Sequence, residues 1–431
     1  MLYKEVPKKM NKKGIFKTNL YILIIALILI PLSGCSPKSE TSTTEKEEVK
    51  DASYYGIIET YLTTEEKLGD FQYMYTILEE NYPFFEVNKR LNGVDWLGNK
   101  EEYERRIIDT KNDVEFFEVL KDILRDLNNW HTNLFYGNDY EEYYKNYSDY
   151  YSVLSNKRAI KRYNLKESYN VSKDLKANDS SKESAVETDI LIEDKVAYIK
   201  LKSMSIDKSF HDRLKMLDFL PEINNYEKLI IDIRGNTGGF DDFWMTLVSG
   251  LTDKPLVSNY LSFYRGEYRD LFSGYKVDGS KRIEELDEKI LEKLPPEIKT
   301  NFDYYNTHKI SIEPLDPSNF YYLDYHSINF KGDIYLLVDK SVFSSAEVFA
   351  SFCKDAGFAT LIGEPTGGDR VFEIIPLIAL PNSGLVVRFS CEMGINQDGT
   401  INMETKTVPD IVVDPTPHKN FRKDKCIKAA I

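Results

Sequence analysis

Apolar and polar positions fall into three regimes along the chain. Residues 20–32, "LYILIIALILIPL", are an unbroken apolar run. The run does not reach the roughly 20 residues that a membrane-spanning helix needs. It has the length of the apolar segment of a signal peptide. Between residues 66 and 130 apolar residues return at helical spacing, first in "DFQYMYTILEENYPFF". In "DVEFFEVLKDILRDL" Phe117, Leu120, Leu124 and Leu127 recur at i, i+3, i+7 and i+10, with Asp113 placed as the N-cap. This predicts a small helical domain ending near Trp130.

From about residue 188 short apolar runs alternate with helical stretches. "KVAYIKL" (195–201), "KLIIDIRG" (228–235), "DIYLLVD" (333–339) and "ATLIGEPT" (359–366) read as strands, and "LIALPNSGLVVRFS" (377–390) as a hairpin. "DDFWMTLVSGL" reads as a helix. So does "SAEVFASFCKDAG", with Val348, Phe349, Phe352, Cys353 and Ala356 on one face and Gly357 closing it. Strand–helix–strand repetition predicts an α/β core with buried strands.

The flanks set the organisation. Residues 1–19 carry six lysines against one acid, Glu5, ahead of the apolar run, which ends in "LSGC" at 32–35. Small residues before a cysteine resemble a bacterial lipobox, which implies cleavage before Cys35 and a lipid on its sulfur. Residues 1–34 are then a lipoprotein signal peptide. Residues 35–52, rich in Ser, Thr, Glu and Lys, form a flexible tether. Residues 53–138 are the helical domain, 139–187 an irregular Tyr-rich and linker-like segment, and 188–431 the α/β core. The expected location is outside the cytoplasm, lipid-anchored to the bacterial cell membrane.

Charge and cysteine usage narrow the chemistry. The full chain has a formal net charge of −14, and removing residues 1–34 with six lysines and one glutamate takes it to −19. An acidic body argues against nucleic acid as a partner and against electrostatic docking on anionic lipid. Membrane attachment would run through lipidated Cys35. The other cysteines, Cys353, Cys391 and Cys426, lie far apart and lack metal-ligand spacing.

Three stretches of the chain carry candidate chemistry. "DIRGNTGG" (232–239) runs from a strand into a glycine-rich turn that can aim N–H groups at an anion, or can simply be a tight strand–helix turn. "SVFSSAEVF" (341–349) holds a serine pair at a helix start. "SSAE" fits the capping box S-x-x-E, with Ser344 capping and Glu347 reaching back. The same position, after a buried strand and before a helix, also suits a nucleophile. "NNWHTNLF" (128–135) contains His131, one of five histidines, just past a helix end beside Trp130. A serine nucleophile needs a base, and histidine is the usual one.

Taken together, "KLIIDIRGNTGG", "DIYLLVDKSVFSSAEVFASFCKDAGFATLIGEPTGG" and "TVPDIVVD" resemble, in order and spacing, the core of the tail-specific protease family. That family includes the C-terminal processing peptidases and the tricorn core peptidase. The resemblance covers roughly residues 190–415 and implies a crotonase/ClpP-like serine peptidase core with flanking helices. It implies Ser344 as nucleophile, with the N–H groups of Ser345 and Gly238 as the oxyanion hole. The processing peptidases place a lysine base 25 residues after the nucleophile, and here position 369 is Asp. The tricorn-like branch uses an upstream histidine and a glutamate before a "V-PD" segment, which implies His131 as base and Glu404 as the polarising residue. Residues 139–190 are too short and irregular for the PDZ domain that many members carry.

The expected activity is hydrolysis of peptide bonds in peptide or protein substrates through an acyl-enzyme, with no metal or organic cofactor. A non-catalytic binding lipoprotein on the same scaffold and a small-molecule esterase or amidase stay open as alternatives.

Overall fold

Helices open the described chain: α1 (Thr64–Asn81), α2 (Phe85–Asn92), α3 (Lys100–Ile108) and α4 (Asp113–Arg125). Thr63 and Glu66 form a reciprocal capping box at the start of α1. In α4 the cap is Asn112 rather than Asp113, because its side chain accepts from Glu115 N–H at 2.8 Å. Asp113 is instead buried, accepting from Leu62 N–H at 2.9 Å and pairing with Arg162 at 2.8 Å. The structure, a computed structural model, describes residues 51–165, 184–205, 209–266, 283–285, 294, 296–317, 324–371 and 375–431. Residues 1–50, with the expected signal peptide and Cys35, lie outside them, as does the linker-like stretch 166–183.

The next elements are β1 (Asn133–Leu134), α5 (Gly137–Tyr147) and α6 (Lys157–Arg162). The tyrosine-rich stretch thus contains a helix, and Tyr140 on it is buried. The core follows with β2 (Val186–Ile192), β3 (Val196–Leu201), α7 (Ser209–Phe219), β4 (Lys228–Asp232) and α8 (Asp241–Leu251). Then come β5 (Leu256–Tyr264), β6 (Ile283–Glu285), α9 (Pro296–Asn301), β7 (Tyr304–Ile312), β8 (Asp333–Val338), α10 (Ser345–Ala356) and β9 (Thr360–Gly363). The chain ends with β10 (Leu377–Ala379), β11 (Val386–Arg388), β12 (Glu392–Gly394), α11 (Asn402–Thr405), β13 (Ile411–Val412) and α12 (Lys425–Ala430).

The six-stranded central sheet has the order β13-β9-β8-β4-β3-β2. Its strands pair in parallel except β2, which runs antiparallel to β3. The near-continuous apolar strands are explained by cover on both faces. Leu229 and Ile231 of β4, and Leu336 and Val338 of β8, pack with Trp244 and Phe349 of the helices on one side. Ile230 and Leu337 point the other way, onto Cys426, Ile427 and Ala430 of α12. Each such fully buried side chain contributes about 1.5–3 kcal/mol.

The opening helices do not close a core of their own. Phe71, Phe116, Leu120 and Leu124 share one apolar cluster with Val386, Val387, Phe389 and Met393 from the far end of the chain. Those residues come from the sheet β1-β11-β10 and from β12, which joins the sheet β12-β5-β7-β6. Residues Lys50–Ile431 accordingly form one compact unit. The pairing of β1 with β11, Asn133 opposite Arg388, brings the end of the helical region to the α/β core.

Candidate active site

Ser344 stands between β8 and α10 at φ 58° and ψ −130°. A serine rarely adopts positive φ, so the surroundings must hold it there. It occupies the N-cap position, yet its side chain makes no capping hydrogen bond. Glu347 does not reach back either. It is buried one turn along α10, where Thr407 Oγ1 donates to its Oε1 at 2.6 Å and Asn402 Nδ2 at 2.7 Å. Burial, the main influence, pushes its carboxyl pKa up. The capping box legible in "SSAE" is therefore not formed, and the Ser344 hydroxyl is left for another partner.

That partner is His131, whose Nε2 lies 2.9 Å from Ser344 Oγ. His131 follows the end of α4, after a turn at Asn128 with φ 51°. Several contacts fix its place. Its N–H donates to Asn129 Oδ1 at 2.9 Å. Arg388 of β11 clasps the loop on both sides, donating from Nη2 to Trp130 O at 3.1 Å and from Nε to Asn133 Oδ1 at 2.9 Å. The imidazole rests against Phe343, ring centres 4.6 Å apart.

The second ring nitrogen, Nδ1, lies 2.8 Å from Asp369 Oδ2. A carboxylate only accepts, so the proton belongs on Nδ1, and Nε2 is free to accept from Ser344 Oγ–H. Asp369 is 1 % exposed and has φ 63°. Asn129 Nδ2 donates to the same carboxylate oxygen at 2.9 Å. The Asp369 loop is stitched to the Ser344 loop, because Gly367 N–H donates to Val342 O at 2.7 Å and Phe343 bridges Gly368. Arg370 N–H donates to Asn402 Oδ1 at 3.0 Å.

Of the residues singled out in the sequence, Ser344 and His131 are brought together and Glu404 is not. Glu404 lies on α11 and is held by Arg90 of α2, Nε to Oε1 at 2.9 Å and Nη2 to Oε2 at 2.7 Å. A bidentate guanidinium pair satisfies both carboxylate oxygens, so the acid beside the imidazole is Asp369. The signal was available: Asp369 occupies the position where the processing peptidases carry their lysine, a position that must face the serine.

Gly238 and Ser345 lie beside Ser344. Gly238 has φ 98°, and a Cβ on it would lie 2.7 Å from Phe343 O and 2.9 Å from both Ser344 Cβ and Ser345 N. Its N–H is engaged within its own turn, donating to Asn236 Oδ1 at 2.8 Å. Ser345 opens α10, where the first N–H groups have no partner within the helix and form the positive end of its dipole. Its Oγ donates to Asp241 Oδ1 at 2.8 Å. Among the described residues no group of three or more His, Cys, Asp and Glu side chains is placed to hold a metal ion. Cys353, Cys391 and Cys426 are buried and form no disulfide.

Comparisons with known proteins agree with this architecture. Residues 63–125, the stretch containing α1 to α4, match the Tricorn protease C1 domain. Among solved structures, a putative peptidase from Parabacteroides merdae has 19% identity and a TM-score of 0.53, over 84% of this chain and 95% of that one. Mature CPAF complexed with lactacystin has 12% identity and a TM-score of 0.52, over 81% of this chain and 94% of that one. At such identities the likeness is one of fold. No curated protein sequence matches the chain. Residues 195–413 match Peptidase family S41. That match spans just over half of the chain, and the protein belongs to peptidase family S41, which makes it a serine-type peptidase.

Proposed function

We propose that the protein is a lipid-anchored peptidase outside the cytoplasm, which cleaves peptide bonds through an acyl-enzyme on Ser344. His131 Nε2 takes the proton from Ser344 Oγ as the oxygen bonds to the peptide carbonyl carbon. Asp369 keeps the Nδ1 proton in place and stabilises the imidazolium. As the tetrahedral intermediate collapses, the C–N bond breaks and His131 gives its proton to the leaving amine. Water then attacks the ester carbon and loses a proton to His131, and the acid departs as Ser344 Oγ regains its proton. The net change is one peptide bond and one water to an acid and an amine.

The oxyanion would be held by the N–H of Ser345 at the helix start. Gly238 N–H supplies the second donor on exchanging Asn236 Oδ1 for the oxyanion. One such donor is worth about 3 kcal/mol of barrier.

The observation that carries this reading is the hydrogen-bonded chain Ser344 Oγ–His131–Asp369, at 2.9 and 2.8 Å. The test is labelling of the purified protein with a fluorophosphonate and mapping of the adduct. The adduct should fall on Ser344, disappear in Ser344→Ala and form far more slowly in His131→Ala. Labelling that survives Ser344→Ala overturns the assignment. A peptide library set against simple esters separates peptidase from esterase.

The anchor rests on the sequence of residues 20–35. Metabolic labelling with a fatty acid should mark the wild type, and Cys35→Ser should lose both the label and the membrane fraction. A labelled Cys35→Ser variant would show that the lipid is carried elsewhere.

A further inference from the structure

The two strands of backbone that meet at Ser344 are tied together by a side chain outside the Ser–His–Asp chain. Asp241 is the first residue of α8 and follows the glycine turn 235–239 after one residue, Phe240. Its Oδ1 accepts from Trp244 Nε1 at 2.9 Å, one turn along the same helix. It also accepts from Ser345 Oγ at 2.8 Å, across 104 residues of chain. The second bond is the informative one. It links the element that carries Gly238 to the element that carries the Ser345 N–H.

This carboxyl is an expensive way to fasten two loops. The residue as a whole is half-buried, but its carboxyl is deep enough that burial, the largest influence, pushes its pKa up to about 6. Neighbouring Asp242 adds to the rise, and the two donors offset it only in part. Both donors are neutral, and among the described residues no cation offsets the charge. A buried carboxyl without a cation costs stability, and a link between oxyanion donors is what it secures in return.

We propose that Asp241 is a positioning residue for catalysis, holding the Ser345 N–H in register with the glycine turn through the Ser345 hydroxyl. The inference rests on Ser344 being the nucleophile, and it deepens that reading by adding what fixes the donor geometry. Donors act only when aimed at the place where the oxyanion forms. A displacement of about 1 Å at such a site can cost roughly a hundredfold in rate. Ser345 has a second loose contact, Oγ to Met204 Sδ at 3.5 Å, which cannot replace a carboxylate acceptor.

Three variants test this, assayed with a cleavable peptide and with fluorophosphonate. Ser345→Ala keeps the backbone N–H and removes only the tie, and Asp241→Ala removes the tie from the other side. Each should lower kcat by roughly tenfold to a hundredfold and leave KM nearly unchanged. Asp241→Asn keeps an acceptor oxygen and should restore most of the rate. Wild-type kcat in both alanine variants overturns the proposal, as does an Asp241→Asn that is no faster than Asp241→Ala. If wild type takes no label on Ser344, the reading of the site fails and this inference with it. If Ser344 labels normally and the variants do not differ, only the inference fails.

Discussion

Asp369 and Asn129 meet on one carboxylate oxygen, the Oδ2 that also faces His131 Nδ1. Asn129 bonds the His131 backbone as well, so a single side chain fixes the imidazole and its acid relative to each other. Orientation of the histidine is therefore shared between two loops, one at the end of α4 and one after β9.

The first prediction follows from which acid faces the histidine. Asp369→Asn should lower kcat/KM by roughly 10⁴-fold, because an amide favours the wrong imidazole tautomer. Glu404→Gln should retain activity within a few-fold, since Glu404 is engaged by Arg90 on another part of the molecule. Steady-state kinetics on one peptide substrate checks both. A large loss in Glu404→Gln with an active Asp369→Asn would restore the glutamate to the site.

Backbone strain at Ser344 yields a second prediction. A non-glycine residue at φ 58° and ψ −130° costs about 1–3 kcal/mol. Ser344→Gly removes that cost and pays a smaller one in chain entropy, about 0.5–1 kcal/mol. Denaturant titration should find Ser344→Gly more stable than Ser344→Ala by about 1 kcal/mol, both being inactive.

Much of the core was legible because one physical signal determines it. Strands β4 and β8 are covered on both faces, so they show as unbroken apolar runs, and α10 shows its buried stripe and closing glycine. Ser344 was legible only together with its neighbours, since "SSAE" alone reads as a cap that does not form. His131 was legible from its place just past a helix end, in the segment that resembles the tricorn-like branch. Asp369 stood at the position compared with the lysine of the processing peptidases, but its pairing with His131 spans 238 residues of chain, which local pattern does not show. Glu404 was misplaced for the same reason: its partner Arg90 is 314 residues away. The fate of Glu347 also depends on distant residues, Asn402 and Thr407.

Asp241 makes stability depend on pH. Its folded pKa is raised from 3.8 to about 6, so the folded state holds the proton more tightly than the unfolded one. Its contribution is fully present below pH 3.8 and is lost as pH rises through about 6, a change of at most about 3 kcal/mol. Asp241→Asn has no such titration. Its stability relative to wild type should rise between pH 4 and pH 8, measured by denaturant unfolding at each pH. A difference that stays flat across that range would mean the carboxyl titrates as it does in water.

Asn402 offers a last prediction, because it joins the nucleophile's helix to the acid's loop. Its Nδ2 donates to Glu347 Oε1 on α10 and its Oδ1 accepts from Arg370 N–H, next to Asp369. All of these groups are buried, and Asn402 is 0 % exposed. Asn402→Ala leaves the Arg370 N–H without that acceptor and takes one of two donors from Glu347 Oε1, at a cost of about 1–3 kcal/mol. Freed from this tether, Asp369 at its positive φ should hold His131 less well. The variant should therefore lose kcat by more than its fraction unfolded explains, with KM little changed. Asn402→Asp is the informative companion, since it keeps the acceptor for Arg370 N–H but sets a second carboxylate against Glu347. It should be the less stable of the two at pH 8 and recover as the pH falls and the pair takes up a proton, because burial already raises the Glu347 pKa. Equal stability of the two variants across pH would show that the bridge to Glu347 does not couple the two loops.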